Sequence, residues 1–132
     1  MPLLTQEHEV ALLSNYGVMG YQETYFKDFP VKIYGGGFAG FDESIIPNVY
    51  QDFKANCLFT VYDIWASPNW DDICLQNRIP LIAYTPIDTD VMNIHFPGAL
   101  QHAFKIIPMS KHSEKLLREA FPDKTLPCVP VS

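Results

Sequence analysis

Cys57-Leu58-Phe59-Thr60-Val61-Tyr62 is the stretch on which the fold turns. Only Thr60 interrupts an apolar and aromatic run. A strand with one wet face would alternate; a run without alternation belongs to a strand covered on both faces, the habit of parallel sheets. Outward from it, residues 9–13 (EVALL) and 31–34 (VKIY) read as strands before it. Residues 81–84 (LIAY), 105–109 (KIIPM) and 126–129 (LPCV) read as strands after it. Pro108 and Pro127 weaken the last two, because proline has no N–H for a ladder.

Helical patterns lie between these runs. The clearest is 110–121, with Ser110 as N-cap, or a later start at Ser113-Glu114, Leu116, Leu117, Ala120 and Phe121 on one face, and Pro122 as its stop. A second helix is expected over 42–55, with Ile46, Val49, Tyr50 and Phe53 on one side and Pro47 in its first turn. A third is expected over 68–77, where Asp71 and Asp72 suit the positive end of the helix dipole. A short fourth falls within 93–104. Strands alternating with helices predict an α/β fold with a mostly parallel sheet of about six strands. No repeat, low-complexity tract or linker divides the chain, so residues 1–132 read as a single domain.

At 48% hydrophobic and 18% charged, 132 residues supply material for a packed core. The net charge of −6 disfavours nucleic acid, whose affinity depends on releasing counterions from phosphates. Lys105, Lys111, Lys115 and Arg118 are interleaved with Glu114 and Glu119, the pattern of a solvated helix face. The three cysteines, Cys57, Cys74 and Cys128, form no CxxC pair and sit among apolar neighbours, so buried reduced thiols are expected. His8, His95 and His102 lack ligand spacing, and no metal site is expected. There is no basic leader before an apolar run and no stretch of membrane-spanning length, so the expectation is a cytoplasmic protein without a membrane span.

Residues 35–40 (GGGFAG) match G-x-G-x-x-G through Gly35, Gly37 and Gly40, and Asp63 follows at about the spacing of a ribose-binding acid. A pyrophosphate needs bare N–H groups at a positive helix end. Asp42 and Glu43 occupy that end and Pro47 interrupts the helix, so a turn that exploits glycine's freedom is the expectation; nucleotide binding here stays as an alternative.

Ligands of open α/β sheets sit beyond the carboxyl ends of the strands. Those ends carry Asp63 and Trp65 after the third strand, Asp88 and Asp90 after the fourth, and Ser110, Lys111 and His112 after the fifth. Carboxylates accept hydroxyl hydrogen bonds and an indole covers the apolar face of a sugar, so the set suits a polyhydroxylated ligand. A carboxylate there can also act as a base or stabilise developing positive charge. Each residue has a plainer role as well: Asp63 as a turn cap, Asp88 and Asp90 as turn contacts after Pro86, Trp65 as core, Ser110 as helix cap and His112 as a solvated side chain.

The order EVALLS (9–14), VKIY (31–34), FTVYDIW (59–65), IPLIAYTPID (79–88), KIIPMSKHSEKLLRE (105–119) and LPCVPVS (126–132) resembles the N-terminal, acceptor-side domain of retaining two-Rossmann (GT-B type) glycosyltransferases, in particular group-1-like members. The resemblance implies a Rossmann-like three-layer sandwich lacking the family's first strand. It implies Asp88 facing the acceptor as the catalytic candidate, where the family often has a histidine. Asp63, Trp65, Asp90, Ser110 and Lys111 would line the acceptor site. The donor half and the first glycine-rich loop have no counterpart in these residues. The expectation is therefore a fragment or subunit without independent transfer, binding no cofactor alone, with a nucleotide-sugar donor entering only in a complete hexosyltransferase-like enzyme. A non-catalytic interaction module that keeps the fold is the alternative, with residues 16–29 (YGVMGYQETYFKDF) supplying apolar surface. Loss of a central strand also predicts a homo-oligomer with an interface drawn from the first 35 residues.

Overall fold

A computed structural model describes residues 7–14, 20–35, 43–63, 69–88 and 100–130. The chain is mixed α/β and divides into two compact units, residues 1–54 and 55–132. Among the described residues its strands form two three-stranded sheets, one mixed and one parallel, where the sequence suggested one sheet of about six.

In the first unit, β1 (Ala11–Ser14) runs parallel to β3 (Phe29–Gly35), and β2 (Tyr21–Phe26) pairs antiparallel on the other side of β3. The β2–β3 hairpin has no counterpart among the expected strands: YQETYF reads in the sequence only as apolar surface, and every residue of β2 is exposed. It turns through Lys27 and Asp28, with Lys27 at φ 55°. Pro30 is tolerated in the middle strand for a geometric reason. Gly35 N–H donates to the Gly20 carbonyl at 2.7 Å, which makes Gln22↔Ile33 and Thr24↔Val31 the bonded pairs and Tyr25↔Pro30 a non-bonded one. The missing N–H of Pro30 thus faces away from β2, and β1 begins only at the level of Lys32. A 3₁₀ turn (Glu43–Ile45) leads into α1 (Ile46–Phe53), with Pro47 in the first turn as expected. The Tyr34 hydroxyl donates to Asp52 Oδ2 at 2.5 Å and ties β3 to this helix.

In the second unit, β4 (Leu58–Val61), β5 (Leu81–Thr85) and β6 (Lys105–Pro108) are parallel and adjacent in chain order. Among the described residues the helices are α2 (Trp70–Gln76) and α3 (Lys111–Ala120), the latter within one residue of the sequence expectation and capped by Ser110; most of the short helix expected within 93–104 lies outside the described residues. Crossovers of one hand that step the same way along a sheet lie on one face. That face carries Thr60, Leu81, Ala83, Thr85, Ile106 and Pro108, all buried. The opposite face carries Phe59 and Val61, 47% and 55% exposed, beside the half-buried Ile82, Tyr84 and Ile107. Among the described residues, the apolar run at 57–62 is therefore well covered on one side and partly exposed on the other.

The expected strand at 126–129 shrinks to a single parallel bridge, Ile106↔Thr125. Ile106 exchanges bonds with the Lys124 carbonyl (3.0 Å) and the Leu126 N–H (2.8 Å). Two residues on, the same side of β6 presents Pro108, which has no N–H to give; its carbonyl still accepts the Val129 N–H at 2.9 Å, but the regular ladder is broken. The β5–β6 ladder survives because Met109, facing the other way, donates to Thr85.

Candidate functional site

Three parallel strands end on one edge of the second unit. Register places Val61 beside Tyr84, and Thr85 beside Pro108, so the segments that leave β4, β5 and β6 start at nearly the same level. Asp63 is half-buried two residues past β4. Asp88 is exposed three residues past β5. Ser110 and Lys111 are exposed past β6. The topology thus brings Asp63, Asp88, Ser110 and Lys111 to one edge. Trp65 and Asp90 lie outside the described residues, as do Gly37 and Gly40 of the glycine-rich stretch.

Ser113, which the sequence offered only as an alternative start of the helix, organises this edge. Its hydroxyl is buried in the first turn of α3. It accepts from Ile87 N–H at 2.9 Å and lies 3.3 Å from the Ile87 carbonyl, to which it donates. The Ser110 hydroxyl stands 3.0 Å from it and also accepts the Ser113 N–H at 3.0 Å. One proton arrangement satisfies all of them: Ser110 O–H to Ser113 Oγ, Ser113 O–H to the Ile87 carbonyl, and Ile87 N–H back to Ser113 Oγ. The turn that carries Asp88 is therefore fastened to the amino end of α3, the positive end of the helix dipole. The only hint in the sequence is a second small hydroxyl three residues after a helix cap.

Lys111 is committed elsewhere. Its ammonium donates to Glu114 at 3.0 Å, which raises its pKa. Glu114 also takes Arg118 Nε and the backbone N–H of Cys128, both at 3.1 Å, and its carboxyl is held down at about 2, first by the Lys111 bond and then by the Cys128 bond. Binding a substrate through Lys111 would mean breaking that cluster.

Asp71 is 1% exposed, far from the wet first-turn acid its position suggested. Both its oxygens accept the His102 N–H at 3.0 Å, and burial raises its pKa. It closes the turn before β6 and is a structural carboxylate. Of the cysteines, only Cys74 is buried, with its thiol pushed up to about 12 by burial; Cys57 is exposed and Cys128 half-buried, contrary to the expectation for all three.

In the first unit, a groove of about 250 Å³ is lined by His8, Glu9, Glu23, Lys32 and Phe53 among others. It lies at the amino end of the β1–β3 pair, the wrong end for a ligand of a parallel sheet. Gly35 closes β3, and the next described residue after the glycine-rich stretch is Glu43, which opens a 3₁₀ turn. An acid and a 3₁₀ turn do not offer the bare positive helix end that a pyrophosphate needs. Among the described residues no group of three or more His, Cys, Asp or Glu is placed to hold a metal ion, and no helix is long and apolar enough to cross a membrane. No family model, no curated protein and no solved structure matches the chain.

Proposed function

We propose that the carboxyl edge of the parallel sheet in the second unit binds a polyhydroxylated acceptor, as the acceptor-side domain of a GT-B type glycosyltransferase would. The observation that carries this is the Ser113 anchor, which holds the Pro86–Asp88 turn against the amino end of α3. Asp88 accepts a sugar hydroxyl from that fixed turn, and Asp63 supports it from the neighbouring strand end. When a donor is present, Asp88 is the carboxylate that takes the proton of the acceptor hydroxyl. The nucleotide-sugar belongs to a separate donor-binding domain or partner, so the chain alone binds acceptor and does not transfer.

The test is a titration of the isotope-labelled chain with common hexoses and hexosyl disaccharides at millimolar concentration, followed by amide shifts. Saturable shifts confined to residues 62–63, 86–88 and 109–113, lost in the double variant Asp63→Asn/Asp88→Asn, support the proposal. A flat response across the panel, or shifts that survive the double variant, sinks it. A non-catalytic interaction module is favoured by a separate observation, the fully exposed strand β2.

A further inference from the structure

Among the described residues strand β2 pairs only with β3, and none of them bonds to its other edge as a strand. The direction of each backbone group on that edge follows from one bond. Because Gly35 N–H donates to the Gly20 carbonyl, the even residues Gln22, Thr24 and Phe26 bond inward to β3. Tyr21, Glu23 and Tyr25 therefore turn their N–H and C=O groups outward. The strand lacks the usual protections of an edge: it holds no proline and no lysine, and its single charge is Glu23. It exposes Tyr25 at 71%, Tyr21 at 48% and Phe26 at 41%.

We propose that this edge pairs antiparallel with the same edge of a second copy of the chain, with Thr24 facing Thr24 on the two-fold axis. The first units then share one six-stranded sheet. The register follows from charge and reach. Outward residues must face one another in the bonded pairs, so the axis passes through Gln22, Glu23 or Thr24. An axis at Glu23 sets two carboxylates directly opposite, which is unfavourable. An axis at Gln22 leaves Tyr25 and Phe26 outside the paired stretch. An axis at Thr24 pairs Glu23 with Tyr25 of the second copy in both directions and sets Gln22 opposite Phe26. It also brings Lys27 level with Tyr21 of the second copy, whose hydroxyl bonds to Glu23. That arrangement is self-complementary, as a two-fold contact requires, and it places a cation near each Glu23.

A single strand pair buries little area, so the dimer forms at micromolar concentration and dissociates on dilution. Sedimentation velocity on the unmodified chain reads this directly: a species of twice the 15.0 kDa chain mass that fades on dilution is expected. Cysteine cross-linking reads the register. In a chain carrying Cys57→Ser and Cys128→Ser, Thr24→Cys places two thiols across a non-bonded pair about 4.5 Å apart at Cα, within reach of a disulfide. Its oxidation to a covalent dimer is expected to outpace that of Gln22→Cys, which sits four residues out of register with itself, by at least about tenfold. Tyr25→Pro removes an outward N–H without touching a β2–β3 bond and is expected to abolish the dimer while far-ultraviolet circular dichroism stays unchanged. A single 15.0 kDa species throughout the micromolar range overturns the proposal. So does a dimer that persists in the Tyr25→Pro chain, or Gln22→Cys cross-linking as fast as Thr24→Cys.

Discussion

Glu114 shows how much one surface residue can hold. Its carboxylate gathers Lys111, Arg118 and the Cys128 N–H, and so fastens the chain's final described segment to α3. Its carboxyl sits at about 2 in the folded protein, well below the usual range. A depressed acid stabilises the fold above its unfolded pKa and loses that contribution as pH falls through the folded value. Glu114→Gln should therefore lower the melting temperature at neutral pH, and the gap should close between the ordinary carboxylate range and about pH 2. A gap that stays constant over that interval would mean that the cluster does not form in solution. In the sequence, Glu114 read as one of several alternating charges on a helix face. Its partner at Cys128 comes from a tail whose course depends on Pro108, and nothing local signals it.

At the scale of elements, the start of α3 and the turn after β5 behave as one piece. Removing the Ser113 hydroxyl leaves the Ile87 N–H without an acceptor, so Ser113→Ala should cost about 1–3 kcal/mol. Ser110→Ala removes the cap and should cost about 0.5–2 kcal/mol. The two hydroxyls share a bond, so the double variant should cost less than the sum of the singles. Urea unfolding of the four proteins checks this; strict additivity would deny the network. The end of α1 offers the opposite sign. Lys54 caps it in the left-handed region, at φ 55° and ψ 44°. Glycine occupies that region without a Cβ clash, so Lys54→Gly should stabilise the first unit by about 1 kcal/mol after its own chain entropy is counted. The helix α3 was legible because its cap, apolar face and stop all lie within it. The hairpin was not: a fully exposed strand carries no burial pattern, and Lys27 and Lys54 stand where positive φ would normally announce itself as glycine.

At the scale of the whole molecule, strand positions were legible but sheet membership was not. Five of the six expected strands lie within a few residues of observed ones, because each is a local apolar run. Which runs share a sheet depends on partners distant in sequence, and the two described sheets of three take in β2 and leave out 126–129. The candidate site was legible in part for the same reason: strand ends place Asp63, Asp88 and Ser110 on one edge, while the anchor at Ser113 rests on a contact with Ile87, distant in sequence. Coverage differs from the expectation too. An unalternating run suggests two covered faces, yet among the described residues Phe59 and Val61 are 47% and 55% exposed while Thr60, Ala83 and Ile106 on the other face are buried. The asymmetry predicts opposite responses to the same change. Val61→Lys sets an ammonium into solvent at a position already 55% exposed, and should alter stability by no more than about 0.5 kcal/mol. Ala83→Lys, at a position 4% exposed on the covered face, buries an unpaired charge and should prevent the second unit from folding. Urea unfolding with a far-ultraviolet readout distinguishes the two, and a loss of several kcal/mol in Val61→Lys would show that this face is covered in solution.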